Sequence, residues 1–187
     1  MMITCLDIET TYQKDDAFSY SGKNQLVSVG FKTHTGKEDY LWFYHKEREP
    51  TNNAKQILQD LLHDTKILIG HNIKFDLGWL YCCGFTYDNT VYDTMVVEYI
   101  LSRGVKRPIS LEESCKRRKV TQKKSHLIEG HMKSGVNMDD IPHKLVEEYG
   151  RGDVICTYDL AMKQLEVLEM DMDEKGIDRN GNFWYKN

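Results

Sequence analysis

The stretch Ile3-Thr4-Cys5-Leu6-Asp7-Ile8-Glu9-Thr10 reads as a short buried strand over Ile3–Ile8 with two acids at its end. Residues i and i+2 of a strand point to the same face, so Asp7 and Glu9 emerge side by side. Two adjacent carboxylates repel, and each costs roughly several kcal/mol if it is also buried. A divalent cation removes that conflict, and hard oxygen ligands suit Mg²⁺ or Mn²⁺. The plain alternative is a strand end with two solvated acids in a turn. What the rest of the chain supplies decides between them.

The 187 residues fit one domain with a sizeable core, taken here as 1–187. An apolar fraction of 40% beside 29% charged residues is that of a soluble globular protein. No apolar run reaches the ~18 residues of a membrane span, and no charged leader with an apolar stretch opens the chain. Cysteine is odd in number (Cys5, Cys82, Cys83, Cys115, Cys156) and forms no CxxC pair. Reduced thiols in the cytoplasm are therefore expected, and a zinc or disulfide framework is not.

The net charge of −4 is unevenly spread. From Arg103 to Lys133, ten Lys or Arg stand against three Glu, a segment of +7 that leaves −11 on the rest. A solvated helical face accounts for such a cluster, and so does a phosphate backbone passing beside an acidic metal pocket.

A polar loop over Thr11–Lys23 leads into a Val- and Phe-rich strand, Gln25–Thr33. Thr33–Lys37 is a turn, and Tyr40–Tyr44 returns as the next strand. Asn52 or Asn53 can cap a helix over Ala54–His63. Lys66–Ile69 is a fourth strand, followed by a helix carrying Phe75, Leu77, Trp79 and Leu80. Thr90–Asp93 reads as the fifth strand, and Thr94–Leu101 as a helix. Ser110-Leu111-Glu112-Glu113 is a capping box that opens a basic helix. Asp140 and Pro142 begin another helix, and a further one runs from about Asp153 to Glu169. Antiparallel strands followed by strands alternating with helices predict a mixed α/β sheet flanked by helices.

Two further acids fall where such a sheet builds sites. Asp76, in His71-Asn72-Ile73-Lys74-Phe75-Asp76, lies just after the fourth strand in the first turn of a helix. There the helix dipole favours a carboxylate by a few tenths to ~1 kcal/mol. Asn72 offers an amide, and the Phe75 ring suits either the core or the face of a base. In Tyr149-Gly150-Arg151-Gly152-Asp153, i, i+4 spacing on a helix places Tyr149 and Asp153 on one face. Gly150 and Gly152 each cost a helix up to ~1 kcal/mol relative to Ala. Keeping them implies a kink, or room for a metal, a substrate or a neighbouring backbone. Alone, Asp76 is a helix-start acid and Asp153 a helix cap.

Taken in order, Asp7-x-Glu9, Asn72-x-x-x-Asp76 and Tyr149-x-x-x-Asp153 resemble the three motifs of the DEDD exonuclease superfamily, in its tyrosine-bearing (DEDDy) branch. The similarity extends to the proofreading 3′–5′ exonuclease domain of family-A DNA polymerases, especially the T7-like phage group. Tyr92-Asp93-Thr94-Met95, Ser110-Leu111-Glu112 and Ile141-Pro142-His143 resemble connecting segments of that group. The resemblance covers about Met1 to Leu168 and implies an RNase H-like fold, with a five-stranded mixed sheet and helices on both faces.

It also implies metal-dependent cleavage of single-stranded DNA from its 3′ end to nucleoside 5′-monophosphates. Asp7, Glu9, Asp76 and Asp153 would hold two divalent ions, Mg²⁺ or Mn²⁺, with Asp7 bridging them. Tyr149, whose unperturbed pKa is ~10, would orient the attacking water with Glu9 rather than act as a strong base. Thr10, Asn72, Phe75 and Lys74 match positions that contact terminal nucleotides. A DNA polymerase domain or subunit is the implied partner. Two other functions remain open: an RNase D-like exoribonuclease, and a non-catalytic polymerase-associated module that binds single strands.

Other candidates read as structural. His126 and His131 look like surface residues, and Asp93 looks like a strand-end support. The acidic run Glu166, Glu169, Asp171, Asp173, Glu174 lacks the Gly and the ligand alternation of an EF-hand loop. Residues 173–187 read as a tail or docking segment, with Phe183-Trp184-Tyr185 as its apolar element.

Overall fold

A computed structural model describes residues 1–12 and 22–168, and its centre is the strand quoted above. β1 (Met2–Thr10) pairs antiparallel with β2 (Leu26–Thr33) and parallel with β4 (Thr65–Gly70). β3 (Glu38–Trp42) extends the sheet antiparallel beyond β2, and β5 (Thr90–Asp93) extends it parallel beyond β4. The order β3-β2-β1-β4-β5 makes the expected five-stranded mixed sheet.

The alternation of β1 sorts its side chains between two layers. Ile3 and Cys5 face one side, where they pack with Ile67, Ile69 and Tyr92 against Val154, Ala161 and Leu165 of α6 (His143–Val167). Leu6 and Ile8 face the other side, in a core with α1 (Ala54–Asp64) and α2 (Ile73–Cys82). Burying each such aliphatic side chain contributes about 1.5–3 kcal/mol. α3 (Thr94–Leu101), α4 (Leu111–Arg118) and the short α5 (Glu129–Lys133) complete the helices among the described residues.

Several boundaries differ from the reading of the sequence. β1 runs two residues further than Ile8, so Asp7 and Glu9 lie within the paired strand, opposite Gly30 and Ser28. The third strand is Glu38–Trp42, not Tyr40–Tyr44. It pairs at once because the Thr33 N–H donates to the Lys37 carbonyl (2.8 Å), and it ends where the Phe43 and Tyr44 N–H groups converge on the Val27 carbonyl. Asn53 does occupy the start of α1, but in the left-handed region and without a capping side-chain bond. Ser110 caps α4 by accepting from the Glu113 N–H at 3.4 Å. The Glu113 carboxylate turns to Lys116 instead of closing the box.

The largest difference is α6. In place of two helices there is one of 25 residues, with Pro142 at its N-cap and Asp153 in its interior. Asp140 ends a separate 3₁₀ turn, Met138–Asp140. Packing against β1, β2, β4 and α4 outweighs the propensity lost at the two glycines. Gly150 is needed for space: a Cβ there would lie 2.7 Å from the Tyr40 hydroxyl oxygen. Tyr158 is only partly buried and Leu168 is exposed in the turn that follows the helix. The acidic run beyond Glu166 and the aromatic tail lie outside the described residues.

Candidate active site

Because Ile3 and Cys5 face α6, Asp7 and Glu9 face it too. The Cys5 thiol lies 3.6 Å from the Val154 carbonyl, so the next residue back along α6, Asp153, stands beside the two acids. Carboxylate oxygens of Asp7, Glu9 and Asp153 lie within 4.8 Å of one another. β1 and β2 shift register between Glu9 and Thr10. Such irregularities at a strand end re-aim the side chains beside a site.

Asp76 approaches from the opposite layer and is not part of that triad. Gly70 ends β4 so tightly that a Cβ there would sit 2.9 Å from the Ile73 Cβ. Asn72 then takes the left-handed region (φ 60°), with its N–H held by Asp93 at 2.9 Å. That turn starts α2 and delivers Asp76, whose Oδ1 accepts from the Ile8 N–H at 3.2 Å. Asp93 also caps α3 through the Met95 and Val96 N–H groups, the support role expected of it.

Electrostatics follow from this crowding. Burial and then the charge of Asp153 push the Asp7 carboxyl up to about 7, against the pull of Lys123. Burial, Asp7 and Asp153 hold Glu9 well above the usual carboxylate range. Burial and Asp7 do the same to Asp76, eased by the backbone N–H groups of Asp76 and Ile8. Burial also raises Asp153, although Lys123 works the other way. Buried Oε1 of Glu9 and Oδ1 of Asp153 have no hydrogen-bond partner. Hard oxygen donors, mutually repelling and partly unsatisfied, fit a divalent cation held by Asp7, Glu9 and Asp153.

Tyr149 stands one turn before Asp153 on α6, half-buried, as i, i+4 spacing required. Burial, then the charges of Glu9, Asp153 and Asp7, push its phenol well above the ordinary tyrosine range, so it stays a protonated donor. Thr10 is partly buried at the end of β1, while Asn72, Lys74 and Phe75 are exposed around the start of α2. The Phe75 ring is 44% exposed, which removes it from the core and leaves its face available, 6.4 Å from Trp79.

Lys123 was not singled out by the sequence, where it is one cation in a basic run. Its ammonium pairs with Asp153 and lies 4.7 Å over the Tyr149 ring. Burial works against that charge, but Asp153, Asp7 and Glu9 more than offset it and hold the ammonium above the usual lysine range. Of the ten cations in the +7 segment, six pair with carboxylates: Lys116, Arg117, Arg118, Lys123, Lys124 and Lys133. Arg117, Arg118 and Lys123 are drawn onto buried carboxylates, while the pairs of Lys116, Lys124 and Lys133 lie at the surface. His126 is exposed and His131 half-exposed, as expected of surface residues.

Residues 5–169 match a protein family described as 3′–5′ exonuclease. No curated protein sequence matches the chain. Among solved structures, a family B DNA polymerase from the hyperthermophilic archaeon Pyrobaculum calidifontis is similar with a TM-score of 0.65 and 20% identity, over 90% of this chain and 25% of that one. Brucella melitensis NrnC with bound Mg²⁺ gives 0.59 and 21%, over 89% and 73%. The polymerase domain of Pol1 from M. smegmatis gives 0.56 and 14%, over 89% and 24%. At these identities the likeness is one of fold. The chain spans about a quarter of either polymerase and about three-quarters of NrnC. No described helix is long and apolar enough to cross a membrane.

Proposed function

This chain belongs to the 3′–5′ exonuclease family, and we propose that it removes nucleotides from the 3′ end of single-stranded DNA as nucleoside 5′-monophosphates. The observation that carries this reading is the convergence of Asp7, Glu9 and Asp153 within 4.8 Å, with Glu9 Oε1 and Asp153 Oδ1 buried and unpartnered. Asp7, Glu9 and Asp153 would hold one Mg²⁺ or Mn²⁺, and Asp76 would help to hold a second. Bound divalent ions supply charge neutralisation and a lowered water pKa for phosphodiester hydrolysis. Tyr149, kept protonated by its surroundings, donates to the attacking water while Glu9 accepts from it. Asn72 and Thr10 bind the terminal nucleotide, the exposed Phe75 ring stacks on a base, and Lys74 meets a phosphate.

The biological setting we infer is proofreading for a DNA polymerase of the T7-like phage group, in the host cytoplasm. Support comes from the order and spacing of the three motifs and from the polymerases among the fold relatives. A second reading, a 3′–5′ exoribonuclease acting on short RNA, is favoured by the mutual coverage with NrnC and by that protein's structure with pGG bound.

The test is degradation of 5′-labelled DNA and matching RNA with Mg²⁺, Mn²⁺ or EDTA, beside an Asp7→Ala, Glu9→Ala double variant. A metal-dependent ladder on DNA, absent from the variant, is expected. Faster loss of RNA would establish the second reading. Binding of the strand with no ladder under any metal would reduce the chain to a docking module.

A further inference from the structure

We propose that Lys123 is the resident cation of the acidic pocket and competes with a divalent ion for Asp153, an inference that rests on the metal-site reading above. Four observations carry it. The ammonium pairs with Oδ2 of Asp153, the same carboxylate whose Oδ1 is buried without a partner. No other ion pair to Asp7, Glu9 or Asp153 occurs among the described residues. The Lys123 side chain is 20% exposed and the Asp153 side chain 4%, so the pair is nearly dry and little screened. The ammonium also sits over the Tyr149 ring at 4.7 Å, which adds an attraction to the same place.

The position of Lys123 in the chain makes the arrangement reversible. It lies in the irregular stretch between α4 and the 3₁₀ turn Ser125–Leu127, outside any helix or strand. Its four-carbon stem can withdraw the charge without moving α6 or β1. Lys124, the next residue, keeps the stretch anchored through Glu148 at 2.9 Å. In the metal-free protein Lys123 offsets part of the repulsion among three carboxylates. Once a divalent ion sits among those oxygens, an ammonium in the same small, poorly hydrated space is repelled, and Lys123 leaves Asp153. The segment that reads as generic basic surface therefore contains a built-in competitor of the metal. It sets the ion concentration at which the site fills and holds the pocket together below it.

The experiment is Mn²⁺ titration of the whole chain without nucleic acid, by calorimetry and electron paramagnetic resonance, for wild type, Lys123→Met and Lys123→Arg. Lys123→Met should bind Mn²⁺ about tenfold more tightly and melt lower than wild type before the ion is added. Lys123→Arg keeps the charge and should stay within about threefold of wild type. Affinity in Lys123→Met equal to or weaker than wild type overturns the inference while leaving the metal site standing. Absence of Mn²⁺ binding in all three proteins overturns the metal reading, and the inference with it. A second measurement needs no variant: acylation of wild-type lysines followed by mass spectrometry. Labelling of Lys123 should rise several-fold on adding Mg²⁺, with the exposed Lys55 of α1 as the internal standard. Unchanged labelling at saturating Mg²⁺ overturns the displacement.

Discussion

The Ile8 N–H donates to Oδ1 of Asp76 at 3.2 Å, joining the strand that carries two of the acids to the helix that carries another. The proposed metal-holding role of Asp76 and its bond to Ile8 are therefore separable. Asp76→Asn keeps an acceptor for Ile8 and loses the charge. It should fold within about 1 kcal/mol of wild type yet lose roughly 10–100-fold in nuclease rate. Asp76→Ala loses both and should cost an additional ~1–3 kcal/mol in urea denaturation. Equal stability of the two variants would show that the Ile8 bond contributes nothing.

Gly150 and Gly152 sit two residues apart on α6 with opposite surroundings. A Cβ at Gly150 would press into the Tyr40 hydroxyl at 2.7 Å, and Tyr40 is fixed by its 2.7 Å hydrogen bond with Ser28. A Cβ at Gly152 meets only Lys124 methylenes at 3.6 Å, an ordinary contact. Gly150→Ala should destabilise by about 1–2 kcal/mol, overpacking outweighing the gain in helix propensity. Gly152→Ala should be neutral or stabilise by up to ~1 kcal/mol. Denaturation midpoints of the two proteins decide it, and the same sign for both would contradict the packing seen at Tyr40.

Stability should respond to pH and metal together. Asp7, Glu9, Asp76 and Asp153 are all held above their ordinary range by burial, with mutual repulsion adding at Asp7, Glu9 and Asp76. Groups raised on folding favour the native state at low pH and lose that contribution as pH rises through their folded values. For Asp7 the loss spans from about 4 to about 7. Without metal, the melting temperature should fall over that window. Saturating Mg²⁺ should raise it, and by more at pH 8 than at pH 6, because the ion binds deprotonated carboxylates. A gain independent of pH would place the ion elsewhere.

Glu98 behaves in the opposite direction. Burial pushes its carboxyl up, but hydrogen bonds from Arg118, Arg117 and Gln164 outweigh burial and hold it below the usual range. Arg117 Nη1 approaches at 2.7 Å, Arg118 Nε at 3.0 Å and Arg118 Nη2 at 3.2 Å, tying α4 to α3, while Gln164 of α6 is a third partner at 3.1 Å. Glu98→Ala should cost about 3 kcal/mol by leaving these donors unpaired. The Glu98 contribution should be complete at neutral pH and disappear as pH falls through its depressed value. A variant as stable as wild type at pH 7 would refute the role of the cluster.

Much of this protein was legible in one dimension. Strand alternation predicted that Asp7 and Glu9 share a face, and helical spacing predicted that Tyr149 and Asp153 share another. Thr90–Asp93 and Thr94–Leu101 appear with the bounds their composition implied. These features depend on neighbours a few residues away, and local periodicity carries them. Tertiary structure alone decided that α6 runs unbroken through two glycines, because propensity cannot weigh the packing of a helix on three strands. It alone decided which face of β1 each acid joins, since that depends on which helix covers which side of the sheet. The same holds for Lys123: among ten cations of one run, only the folded chain selects the one that enters the acidic pocket. Lys123 and Asp153 stand 30 residues apart in the chain, and spacing along the sequence does not encode their meeting.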